Sequence, residues 1–228
     1  MADMSRKSAG ELGDLCDDDL LLTWRQGVAG AGQVLFDRHY DTVRRFFRNK
    51  VPAAATRDLV QETFLACVEA RERFRHHSTF RTYLLGIAHH VMVDHLRAAP
   101  RRTGDLDLGE VILGELGPIG EDAIAAKRER RVLLRALRGL RFPLQVVLEL
   151  RYWESMSDSE IAEVLDEPLG TIKTRLRTGR IALEDRIAEL SGSAEEARST
   201  LDSLQRWASR VRHAALPERG RDARSIGE

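Results

Sequence analysis

Residues 157–180 read SDSEIAEVLDEPLGTIKTRLRTGR, and their order decides the fold. Ser157 and Glu160 have the spacing of a capping box, in which each side chain satisfies an orphan amide at the start of a helix. Asp166 and Glu167 supply a turn, because Asp tolerates the left-handed conformation, and Pro168 suits a first helical position with its fixed φ and missing donor. Ile161, Ala162, Leu165, Ile172 and Leu176 then face one another, as two helices crossing at a tight turn require. Thr171, Lys173, Thr174, Arg175, Arg177, Thr178 and Arg180 are left outward. These are short hydroxyls and cations, which can enter a major groove and reach base edges and phosphates. A solvated helical hairpin would explain a basic face, but not the coincidence of cap, turn, acidic first helix and basic second helix.

The rest of the chain first looks electrostatically inert. Its 228 residues carry 36 Lys+Arg and 36 Asp+Glu, a formal charge of +0. That sum hides blocks. Residues 1–20 hold six acids against Arg6 and Lys7; residues 71–102 hold seven arginines against Glu72 and Asp94; residues 103–122 hold six acids and no base. Within the helix-turn-helix, 158–167 has five acids and 171–180 four bases. A neutral total is therefore compatible with two basic faces, each flanked by acid. No apolar run is long enough to cross a bilayer, and the acidic N-terminus lacks the pattern of a signal peptide, so a cytoplasmic protein is expected. Cys16 and Cys67 lie far apart and outside any Cys-x-x-Cys pair, which argues against a disulfide scaffold or a thiolate zinc site.

Helical periodicity runs on both sides of a linker. Leu35, Phe36, Tyr40, Val43, Phe46 and Phe47 recur at helical spacing, then Leu59, Val60, Phe64, Leu65 and Val68, then Leu84, Ile87, Ala88, Val91 and Leu96. Between the blocks, Gly104, Gly109, Gly114, Gly117, Pro118 and Gly120 lie in an acidic stretch. The expected architecture is all-α, with an acidic tail (1–17), a first helical domain (18–99), a flexible acidic linker (100–125), a second helical domain with the helix-turn-helix (126–190) and an extension (191–228). Ala197, Leu201, Leu204, Ala208, Val211 and Ala215 in that extension follow the spacing of one amphipathic C-terminal helix. It would fold back on the second domain or dock elsewhere as a regulatory element. The acidic N-terminus and linker are candidates to cover the basic faces.

The segment RFRHHSTFRTY, residues 73–83, interleaves arginines with aromatic rings around a polar break. Such a surface suits single-stranded bases: rings stack on bases while guanidiniums follow the backbone. Phe74, Phe80 and Tyr83 are the candidates, the competing reading being that Phe74 and Phe80 are core residues closing the helix ends. Histidines 77, 89, 90 and 95 form no metal-ligand spacing, and His90 with Asp94 reads as a side-chain pair on one helix. No nucleophile with a base, phosphate-cradling glycine loop or carboxylate pair is apparent, so neither a cofactor nor an enzyme is expected.

The strings DLVQETFL (58–65), STFRTYLLGIA (78–88), DHLR (94–97) and VLELRYWESMSDSEIAEVL (147–165), followed by GTIKTRL (170–176), resemble the bacterial sigma-70 family in its small extracytoplasmic-function (ECF) branch. The resemblance spans about residues 18–190, in order. It implies a transcription initiation factor that directs core RNA polymerase to promoters. Asp58, Gln61, Glu62 and Phe64 would match the helix that docks on the β′ clamp helices, with the β flap as a second contact. Arg75, His77, Ser78, Thr79, Phe80, Arg81, Tyr83 and His90 would bind and melt the minus-10 element. Thr171, Lys173, Thr174, Arg175, Arg177 and Arg180 would read the minus-35 element. Promoter DNA, core polymerase and an anti-sigma factor are the implied partners. Against the family pattern, Tyr83 stands where Trp is usual, Gly86 where a basic residue is common, His90 where Asn often sits, Asp166 in place of a turn glycine, and Gly179 within a helix. The competing classes are an activator of the two-component response-regulator type and a helical adaptor or anti-sigma-like protein; the first lacks an α/β receiver pattern here.

Overall fold

The computed structural model describes residues 9–74, 78–98 and 128–193, with 195, 197 and 198. Among them the first unit consists of α1 (Ala9–Gly13), α2 (Asp17–Arg25), α3 (Ala29–Arg48), α4 (Ala53–Ala70), a 3-10 turn (Arg71–Arg73) and α5 (Phe80–Ala98). The second consists of α6 (Arg128–Arg138), α7 (Phe142–Tyr152), α8 (Asp158–Leu165) and α9 (Leu169–Leu190). The all-α expectation is met by these residues. The linker and most of the C-terminal extension, including its expected amphipathic helix, lie outside the described residues; Ala197 is half-buried against the core.

In the first unit α3, α4 and α5 pack around Leu35, Phe47, Leu84 and Ala88, and α2 closes one side with Leu20 and Leu21. Asp17, Asp18 and Asp19 occupy the first turn of α2, where acids complement the exposed amides and the helix dipole. The Asp17 carboxylate also receives Arg38 (2.8 Å) and His39 (2.6 Å) from α3. Folding therefore reaches further toward the N-terminus than the tail read from the charge pattern: Leu12 is buried in the same core. Its signal, one leucine among acids, is too weak to read as a helix.

The second unit follows its sequence pattern closely. The capping box at Ser157 and Glu160 is present in both directions. Asp166 adopts φ 50°, ψ 47°, the left-handed cap that a glycine would otherwise supply. Pro168 is the N-cap of α9, one position before its first turn. Ile172, Gly179, Leu183 and Ile187 form the buried stripe of α9. Gly179 thus belongs to a continuous helix: a Cβ there would lie 3.3 Å from Leu148 of α7, so the missing side chain is what lets α7 and α9 approach.

The two units are joined face to face, and their buried residues form one core. Helix α8 lies on α5 and passes Gly86, where a Cβ would lie 3.6 Å from the Val164 carbonyl oxygen, an ordinary contact distance. His89 of α5 stacks on Phe142 of α7 at 6.0 Å between ring centres. Buried residues on α5 (Leu84, Leu85, Ala88, Met92 and Val93 among them) occupy more than one face, as a helix packed on two sides requires.

Candidate nucleic-acid interface

Helix α9 presents the first candidate surface. With its apolar stripe turned to α7, Lys173, Thr174, Arg177 and Arg180 are exposed, and Thr171 and Arg175 half-exposed. Arg175 is held by Glu167 at 2.9 Å, Arg180 reaches Glu184 at 3.6 Å, and the Thr174 hydroxyl donates to the Gly170 carbonyl at 3.0 Å. These surface pairs are weak and exchange readily for phosphate contacts. The whole expected minus-35 set therefore lies on one accessible helix.

The minus-10 set is arranged differently. Arg75 and His77 lie outside the described residues. Ser78 is half-exposed and Thr79 exposed; the Thr79 hydroxyl accepts from the Thr82 amide at 3.1 Å and so caps the start of α5. Phe80 is 1% exposed, with its ring against His39 (5.4 Å) and Phe74 (6.4 Å). Phe74 is also buried and packs at a tilt against Tyr83 at 4.6 Å between ring centres, while the Tyr83 hydroxyl donates to the Ala70 carbonyl at 3.2 Å. These rings form the hydrophobic closure between α4 and α5, which places Phe80 in the core and not on a base-stacking surface. His90 is exposed but bonds the Gly86 carbonyl through Nδ1 at 2.8 Å, and Asp94 reaches Arg97 at 3.6 Å, so the expected His90–Asp94 pair is absent.

Arg81 is bound across the seam. Its guanidinium donates to the Glu154 carboxylate at 2.7 Å and to the Glu154 carbonyl, and Arg45 binds the same carboxylate at 3.0 Å. Deeper in the seam Lys50, fully buried, contacts Glu149 of α7. Asn49 (2.9 Å) and Gln145 (2.8 Å) donate to Glu149 Oε1, and Arg138 donates to Asn49 at 3.0 Å. Burial lowers the pKa of Arg138, partly countered by Glu149, and desolvation pulls His89 down to about 4, so the imidazole in the seam is neutral. Sequence reasoning missed this network. Its one trace is Glu149 in the midst of the apolar run VVLELRYW, a charge where the helical pattern calls for a leucine.

The expected polymerase-docking residues lie on α4. Asp58, Gln61 and Glu62 are exposed on α4. Phe64 is half-buried between Phe36 (4.6 Å) and Tyr40 (6.4 Å, stacked). Gln33, Asp37, Arg57 and Gln61 complete a shallow cavity of about 380 Å³ there, and exposed Leu65 and Tyr40 lie on the same two helices. Among the described residues no group of three or more His, Cys, Asp or Glu could hold a metal, and no helix is long and apolar enough to cross a membrane.

Residues 35–102 match the family described as Sigma-70 region 2, and residues 130–183 match Sigma-70, region 4, together more than half of the chain. The ECF RNA polymerase sigma-E factors of Escherichia coli (strain K12) and Salmonella typhimurium (strain LT2) are each 28% identical over 184 residues, covering 77% of this chain and 96% of their own. Two solved structures share the fold. One is CnrH in complex with the cytosolic domain of CnrY (TM-score 0.58, 23% identity, 77% of this chain and 99% of that one). The other is the sigma factor RpoE with the anti-sigma factor NepR from Bartonella quintana (TM-score 0.54, 21% identity, 65% and 91%).

Proposed function

Because this chain belongs to the sigma-70 family, in its extracytoplasmic-function branch, we propose that it acts with core RNA polymerase in the cytoplasm as a promoter-recognition subunit, with no covalent chemistry of its own. The first unit, about residues 18–99, serves as sigma domain 2, and the second, about 126–190, as domain 4. The observation that carries the reading is the capped helix-turn-helix whose exposed helix bears Lys173, Thr174, Arg177 and Arg180, preceded in the chain by the arginine-bearing α5.

Each surface has a distinct task. Helix α9 enters the major groove of the minus-35 element, cations on phosphates and hydroxyls on base edges. Thr79, Arg81, Tyr83 and His90, with Arg75 and His77, engage the minus-10 element. Strand opening costs roughly 1–2 kcal/mol per base-pair step, which capture of unstacked bases, roughly 1–3 kcal/mol each, partly offsets. The exposed edge of α4 with the Tyr40–Phe64 cavity is the docking face for the β′ clamp helices, and domain 4 meets the β flap. An anti-sigma factor is a further candidate partner, since the RpoE neighbour is bound to one.

The test is transcription by purified core polymerase on bulk bacterial genomic DNA, with the start sites mapped. With this chain added, starts are expected downstream of a shared pair of spaced elements. A chain that neither binds core nor yields any new start overturns the proposal.

A further inference from the structure

We propose that Arg25 of α2 is a positioning residue for promoter opening: it fixes the main chain from Arg71 to Phe74 and, through it, the ring of Tyr83. This rests on the sigma reading above, which sets Tyr83 on the minus-10 element. The Arg25 guanidinium donates to the Arg71 carbonyl through Nε (2.9 Å) and Nη2 (2.5 Å), and Nη2 also reaches the Phe74 carbonyl at 2.5 Å. These carbonyls lie where the 3-10 turn after α4 gives way to extended backbone at Phe74 (φ −66°, ψ 118°), the place at which a helix leaves its last carbonyls without helical amides. A cation there also complements the negative end of the helix dipole. The planar fork of fixed donors holds both carbonyls in one geometry, which a flexible ammonium would not.

The brace is built from several sides. The Arg71 guanidinium lies over the ring of Trp24, the residue before Arg25, at 5.6 Å, so α2 grips residue 71 by its side chain as well as by its carbonyl. The indole fits because residue 32 is glycine: a Cβ there would lie 2.7 Å from the ring, a collision that any other residue would bring. At the far end, Phe74 is buried and its ring packs at a tilt against Tyr83, 4.6 Å between centres. The Tyr83 hydroxyl donates to the Ala70 carbonyl at 3.2 Å. Ring and hydroxyl of the half-buried Tyr83 are thus both held by residues 70–74, the segment that Arg25 ties to α2. Capture of an unstacked base depends on where such a ring stands, because aromatic contacts favour particular offsets and tilts. Every residue of the brace belongs to the first unit, so it works independently of the seam with the second.

A double-mutant cycle tests this with the full chain bound to core polymerase. The probe is a fluorescent single-stranded oligonucleotide carrying the nontemplate minus-10 sequence of a promoter mapped as above. Arg25→Met keeps the side-chain stem and removes the donors. It should weaken oligonucleotide binding at least about tenfold, leave core binding and duplex minus-35 binding within about twofold, and leave the slope of log affinity against log salt unchanged. In a Tyr83→Ala background the same substitution should cost less than about twofold, because the ring it acts through is gone. Should Arg25→Met lose helix content, Arg25→Lys, which keeps the stem and the charge but not the fork, takes its place in the cycle. An undiminished affinity, or equal losses in the two backgrounds, overturns the proposal. So does a loss shared by single strand and duplex, which would mark a general fault in the fold. A salt slope less steep by about 0.7 would make Arg25 a direct phosphate contact and overturn the positioning role as well. A wild-type chain that starts no transcript with core polymerase overturns the sigma reading and this proposal with it.

Discussion

Replacing Lys50 with methionine tests whether the two units are held together by the buried network. Methionine fills the volume of the Lys50 stem but withdraws the cation, and leaves Glu149, 3% exposed, with only the Asn49 and Gln145 amides. Removing one partner of a buried ion pair costs about 3–5 kcal/mol, because the remaining charge is stranded. Here the chain has an escape: parting the seam returns Glu149 to water. The penalty therefore falls first on closure, and only the part that closure cannot absorb falls on the helical units. Urea unfolding followed by far-UV circular dichroism and by the fluorescence of Trp153 separates the two, since Trp153 is buried and adjoins the seam residue Glu154 in the chain, with Trp24→Phe and Trp207→Phe removing the other two tryptophans. Taking a slope of about 2 kcal/mol per molar urea, the seam transition should move down by roughly 1.5–2.5 M, ahead of the loss of helix. The two probes should coincide in the wild type and separate in the variant. A shift below about 0.5 M with coincident curves would refute the claim that this pair holds the domains together.

Three further outcomes follow from individual groups. Phe80→Ala removes a fully buried ring from the α4–α5 closure and should destabilise the first unit by about 3–5 kcal/mol, read as an earlier thermal transition; a stability loss under about 1 kcal/mol would mean the ring is not core. Arg177→Ala should weaken duplex binding across sequences and lower the slope of log affinity against log salt by about 1; an unchanged slope removes Arg177 from the phosphate contacts. His89 has its folded pKa depressed to about 4, against an ordinary 6.5, so between those values the separated or unfolded state binds more protons and stability falls with falling pH. About 3 kcal/mol is at stake over that window. Closure should loosen between pH 6.5 and 4, and His89→Gln should flatten that part of the pH profile; a wild-type profile unchanged by the substitution would exclude His89 as its origin.

The helix-turn-helix was legible because every local signal agreed: the Ser157 cap, the left-handed Asp166, the stripe from Ile172 to Ile187 and the outward cations. Local hydrogen bonds and periodicity depend on near neighbours in the chain, and those are written in order. The seam was not legible for the same reason. Lys50 and Glu149 lie 99 residues apart, and neither carries a local mark of its partner. Phe80 shows a different failure. Aromatic residues interleaved with arginine suit both a base-stacking surface and the end of a helical core, and only its packing against His39 and Phe74 decides for the core. Gly86 and Gly179 looked like departures from a pattern; each faces another helix, α8 at Gly86 and α7 at Gly179.

The most direct measurement is the distance between the two units as polymerase binds. With one dye on exposed α4 and one on exposed α9 of the full chain, energy transfer should be high in the free protein and fall on titration with core polymerase, in step with promoter-directed transcription. Transfer that stays constant while transcription proceeds would contradict the account, because it would mean that the closed arrangement is itself the working one.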